Sequence, residues 1–152
     1  MRRRTRWRRP PADYGLLAEA VLCLAVARLA LLLLPFRTLA RLMVRAGGDR
    51  ESGLQAPERV RRVGWAVRTA ARRGPVPAVC FPQGLAAQMM LARRRVGSRL
   101  YYGLKQADGA LKAHVWVRAA GCDVVGGREA PGFAVVATFP PMPAEQQQDV
   151  AE

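Results

Sequence analysis

Two residues of this 152-residue chain, Cys80 and His114, are of types that could combine in covalent catalysis. Cys80 stands where an extended segment, Gly74 to Val79 with prolines at 75 and 77, feeds a helix that carries Pro82 in its first turn. A helix start leaves backbone N–H groups without intrahelical partners and holds the positive end of the macrodipole. Both favour thiolate over thiol, and the same N–H groups can hold a developing oxyanion. His114 is the only histidine and lies mid-strand. Alternation along residues 111–118 places Leu111, Ala113, Val115 and Val117 on one face and His114 with Trp116 on the other. A thiolate that attacks a carbonyl and an imidazole that carries the proton are the minimum for acyl chemistry.

A third group usually orients the imidazole, and the nearby acids are Asp123 and Glu129. If Ala120-Gly121 is a two-residue turn, Arg118 pairs with Asp123 and His114 lies opposite Gly127. Asp123 then falls on the order of 13 Å from the ring, beside Arg118, unless a bulge changes the register. Asp123 is retained as the nominal orienting acid, with Glu129 or a backbone carbonyl as alternatives. Cys122 sits in a turn with no second histidine to serve it, and Cys23 lies in an apolar helix as a small hydrophobe. Gln83 and Gln88 are either substrate contacts or helix surface. One of Tyr101 and Tyr102 belongs to the core and the other can line a cleft. Three cysteines without a CxxC pair, and one histidine, argue against a disulfide scaffold or a zinc site.

The elements that must position these residues follow from periodicity. Residues 15–34 are nearly all apolar and end at Pro35. A second helix runs from Pro35 to Val44 with Leu39, Leu42 and Met43 on one side, Arg37, Arg41 and Arg45 on another, and Gly47-Gly48 at its end. A third follows Pro57, with Val60, Val63, Val67 and Ala70 at helical spacing and arginines over the rest as solvated surface. The fourth, from Cys80, has Leu85, Met89 and Ala92 on one face and ends in Arg93-Arg94-Arg95, which suits a helix C-terminus. Strands are expected at 98–104, 111–118, 123–125 and 133–139, with turns at Asp108-Gly109 and Ala120-Gly121. Helices first, then one helix opening a small antiparallel sheet, is an α+β layout.

The formal charge is +14, and every cation but Lys105 and Lys112 is arginine. Six arginines lie within residues 2–9, so the excess without that segment is +8, while the last eight residues carry −3. The half-hydrophobic composition excludes disorder of the whole chain. Residues 15–34 are long enough to span a bilayer, but Glu19 and Arg28 each cost about 2–3 kcal/mol near its centre. Nine residues apart on a helix, they cannot pair with each other. A buried or partner-facing helix is therefore favoured over a span. The expected location is the cytoplasm, with residues 15–34 as the segment through which any membrane association would occur.

Cysteine at a helix start with histidine on the adjoining sheet is how papain-like and transglutaminase-like folds build a nucleophile and its base. Residues 15–139 resemble the transglutaminase-like cysteine protease of lasso-peptide biosynthesis. The resemblance rests on Cys80 opening a helix, the basic helix end Arg93 to Arg95, and Leu100 with Gly103-Leu104. It continues through Ala113-His114 with Trp116-Val117, the turn glycine Gly121, and Leu33 to Arg37 ending a leucine-rich helix. It implies a transglutaminase/papain-like core and removal of the leader peptide from a ribosomally made precursor, before a partner cyclase related to asparagine synthetase closes a macrolactam. With no recognition domain visible ahead of Cys80, it implies a stand-alone form that needs a separate leader-recognition protein. The basic helix faces and the apolar first helix are its candidate docking surfaces. The family places an aspartate about a dozen positions after the histidine, and residue 126 here is Gly. ATP dependence is implied by the resemblance alone, since no GxxxxGK-type phosphate cradle occurs in the chain.

The expected division is a basic flexible tail over 1–14, a helical lead-in over 15–73, a transglutaminase-like core over 74–140 and an acidic tail over 141–152. Cys80, His114 and Asp123 are the expected catalytic set, with no metal. The alternative is a non-catalytic basic protein that binds nucleic acid or anionic membrane through its arginines, which would leave the placement of Cys80 and the Ala-His-x-Trp-Val strand without a role. A related option keeps the fold and passes the acyl group to an amine.

Overall fold

The computed structural model describes residues 10–48, 55–75 and 79–142. Four helices, α1 (Pro11–Leu33), α2 (Phe36–Ala46), α3 (Ala56–Arg73) and α4 (Cys80–Arg93), precede four strands. These are β1 (Arg99–Ala107), β2 (Ala110–Ala119), β3 (Cys122–Val125) and β4 (Ala134–Phe139). The sheet is antiparallel with order β3-β2-β1-β4, so the fold is α+β as the pattern predicts.

Both hairpin turns use left-handed backbone. Asp108 and Gly109 have φ of 56° and 74°, and Ala120 and Gly121 have 48° and 73°. Positive φ at both central residues matches the twist of the flanking strands. A register shift between Val117 and Arg118 then makes Val117 pair with Val125 while Arg118 pairs with Asp123. This bulge moves the chain beyond β3 by one residue relative to simple pairing.

The molecule is layered as α1, then α3 with α4, then the sheet. α4 occupies the middle, which is why it is buried all round rather than on one stripe. Met90 and Leu91 are fully enclosed while Met89 is only half-buried, so the expected Leu85–Met89–Ala92 face describes half of its packing. Gly84 sets its distance from the sheet: a Cβ there would lie 2.9 Å from Val115 Cγ1 and 3.1 Å from Leu100 Cδ1. Val60, Val63, Val67 and Ala70 of α3 enter the same core. Arg68 departs from the expected solvated face, because its guanidinium donates to the Val124 carbonyl and docks α3 on β3. On the far side of the sheet, Tyr101 stacks on Trp116 at 5.4 Å between ring centroids, with Phe133 and Met142 alongside.

α1 begins at Pro11, a residue suited to the first helical position, so part of the expected tail 1–14 is helix. Residues 1–9, and the expected acidic tail from 143 onward, lie outside the described residues. α1 is long and apolar enough to cross a membrane, yet one face packs in the core through Leu16, Ala20, Cys23, Leu24 and Ala27. Glu19 finds its partners on the end of α4: Arg94 at 2.6 Å and Arg93 at 3.2 Å. The acid that counts against a membrane span thus ties α1 to the helix that Cys80 opens. The hydrogen bond from Arg94, opposed in part by burial, holds the Glu19 carboxyl below its ordinary range.

Candidate active site

Cys80 is the first residue of α4, after Val79 in an extended conformation. No side chain caps this helix start, and Pro82 has no N–H. The Cys80 and Phe81 N–H groups are therefore the first-turn donors beside the thiol. His114 sits in the middle of β2 opposite Gly103 of β1. Its ring lies over Trp116 at 6.0 Å and against Phe133 at 5.2 Å, so His114 and Trp116 share a face as alternation predicts.

Cys80, His114 and Asp123 all border one groove of about 730 Å³, with Gln83 at the Cys80 end. α4 packs on the Val115 and Val117 face of β2, whereas the ring of His114 belongs to the Trp116 face. The two groups reach the groove from either side of the β2 edge beyond the end of β3 at Val125. No hydrogen bond joins Sγ to the ring here. Catalytic hydrogen bonds are often long in ligand-free enzymes and tighten when substrate is seated.

The orienting partner differs from the nominal one. His114 Nε2 lies 2.8 Å from the Gly126 carbonyl oxygen. A carbonyl only accepts, so in the neutral ring Nε2 carries the hydrogen and Nδ1 keeps its lone pair. Asp123 borders the groove but turns its carboxylate to Arg118, with Arg118 Nε at 3.2 Å. Asp123 is kept from the ring by its register opposite Arg118, while Gly126, just past the end of β3, lies against the Val115 and Trp116 backbone beside His114. Gly126 has φ of +74°, and a Cβ there would lie 2.5 Å from the Val115 carbonyl oxygen, so both backbone and space demand glycine. Glu129 also lines the groove and makes no hydrogen bond to the ring.

Three arginines, Arg68 and Arg72 of α3 and Arg128 of the turn after β3, line the groove and were not anticipated as site residues. Burial pushes the Arg68 guanidinium down, and the charges of Arg72 and Arg128 add to this. The i,i+4 spacing of Arg68 and Arg72 was the available signal. For Gly126 the signal was the Gly126-Gly127 pair closing a short strand twelve positions after the histidine.

Other assignments sort by location. Gln88 is buried and donates to the Phe139 carbonyl at 3.0 Å, so it is structural. Tyr101 is core, while Tyr102 is half-buried beside Phe81 with ring centroids 6.5 Å apart. Cys23 is enclosed, and burial pushes its thiol up. Among the described residues, no cluster of histidine, cysteine or acid side chains could hold a metal ion.

No curated protein and no solved structure matches the chain. A family model does, over residues 20–138, a stretch that runs from the buried face of α1 through β4 and takes in Cys80, His114 and Gly126. With a helix-opening cysteine and a strand histidine bordering one groove, the chain belongs to the Transglutaminase-like superfamily.

Proposed function

We propose that this protein is a cysteine peptidase that removes the leader from a ribosomally made lasso-peptide precursor. The observation that carries the reading is the shared groove: Cys80 enters it from a helix start and His114 from the adjoining sheet, within a transglutaminase-like chain. The finer assignment, to leader removal, rests on the resemblance of residues 80–139 to that family of peptidases.

In this reading the Cys80 sulfur attacks the scissile carbonyl, and its proton passes to His114 Nδ1. The Gly126 carbonyl keeps hold of Nε2–H and fixes the ring through the transfer. The Cys80 and Phe81 N–H groups steady the tetrahedral oxyanion. As the C–N bond breaks, the imidazolium returns the proton to the departing core amine. The leader is left as a thioester on Cys80, and water, deprotonated by His114, releases it as a carboxylic acid. A separate recognition protein delivers the leader, and an asparagine-synthetase-like cyclase consumes the freed amine.

The test is incubation with a lasso precursor and its recognition protein, followed by mass spectrometry. The parent chain releases leader carrying a new carboxyl, Cys122→Ala behaves like the parent, Cys80→Ala is inactive, and His114→Ala is slowed by about 10²–10⁴. Leader release by Cys80→Ala contradicts the reading. A product mass showing an amine in place of water assigns acyl transfer instead.

A further inference from the structure

α1 turns one face to the core and the other to solvent. Leu22, Val26, Leu29 and Leu33 are 65, 42, 55 and 76% exposed and recur at helical spacing as one stripe. Past the end of α1, Leu34, Phe36 and, on α2, Leu42 are exposed as well, with Phe36 edge-on to Phe139 at 6.1 Å between ring centroids. Single exposed leucines are ordinary, but a contiguous row along a helix marks a surface that something covers.

The charges around it are one-sided. The two acids of α1 are drawn inward, Asp13 to Arg62 and Glu19 to Arg93 and Arg94. Arg37, Arg41 and Arg45 stand exposed on α2 just past one end of the stripe. Exposed aromatic residues, Tyr14 and Phe36, lie toward the two ends. Apolar side chains flanked by cations and aromatic rings, with carboxylates withdrawn, match the interface of an anionic bilayer.

We propose that the outer face of α1, with the arginines of α2, docks in plane on an anionic phospholipid surface. Spanning is disfavoured by the inner face, where Ala20, Leu24 and Ala27 are fully enclosed against α3 and α4. α1 contributes nothing to the lining of the groove, so docking leaves the groove open. The inference stands apart from the peptidase reading, because lipid binding needs no turnover.

The test is co-sedimentation of the full chain with vesicles of phosphatidylcholine alone and of an equimolar mix with phosphatidylglycerol. The chain is expected to pellet with the mixed vesicles only, less so in high salt. The double variant Leu29→Glu, Leu33→Glu, with an unchanged circular-dichroism melt, is expected to lower the bound fraction at least about tenfold. No pelleting with mixed vesicles overturns the proposal. So does equal binding by the double variant, which would leave only arginine electrostatics. A dimer or a protein complex that the same substitutions dissociate, without vesicle binding, assigns the face to that partner instead.

Discussion

His114 Nε2 and the Gly126 carbonyl oxygen lie 2.8 Å apart, so a main-chain group rather than a carboxylate meets the imidazole. A carbonyl fixes tautomer and ring direction without contributing a full charge. Cysteine chemistry tolerates this better than serine chemistry, since the thiol ionises far more readily.

Gly126→Ala should therefore act on positioning. The positive φ and the nearby Val115 carbonyl force the loop to shift, at a cost of about 1–2 kcal/mol in stability. The turnover number is expected to fall about tenfold or more with the Michaelis constant little changed. An equal loss in both, or none, would show that the carbonyl does not hold the ring.

Asp123→Asn should be nearly silent. The carboxylate pairs with Arg118, both side chains are about half exposed, and such pairs contribute less than ~1 kcal/mol. Precursor cleavage within about threefold of the parent is expected. A loss of a hundredfold would return Asp123 to the role of orienting acid.

The Glu19–Arg94 bond should make stability depend on acid pH. A carboxyl held below its ordinary range contributes stability that is complete above its unfolded value, about 4.3, and is lost as pH falls through the folded value. At neutral pH, Glu19→Gln is expected to cost about 1–2 kcal/mol, or roughly 2–6 °C in melting temperature. That gap should narrow as pH falls below about 4.3 and close below the folded value. A gap independent of pH would mean that packing, rather than the carboxylate charge, ties α1 to α4.

Most of the architecture was legible because its signals are local. Pro35, Pro57 and Pro82 mark helix starts, Gly47 and Gly74 follow helix ends, and Asp108-Gly109 and Ala120-Gly121 set two turns, whereas the start of α1 at Pro11 was missed. The other errors concern what one element sees of another. Met90 rather than Met89 is enclosed because α4 is a middle layer, and Leu42 faces solvent because α2 covers only one edge of the core. The partner of His114 was open for the same reason: Gly126 lies beyond the end of β3, where strand alternation no longer fixes which backbone group meets the ring.

The most direct test needs no substrate. Alkylation by iodoacetamide, resolved at each cysteine by mass spectrometry, should be fastest at Cys80, slower at Cys122 and slowest at the enclosed Cys23. His114→Ala should slow Cys80 about tenfold or more and leave Cys122 unchanged. If Cys80 and Cys122 react at the same rate, and that rate is indifferent to His114, the two groove residues do not form a nucleophile and its base.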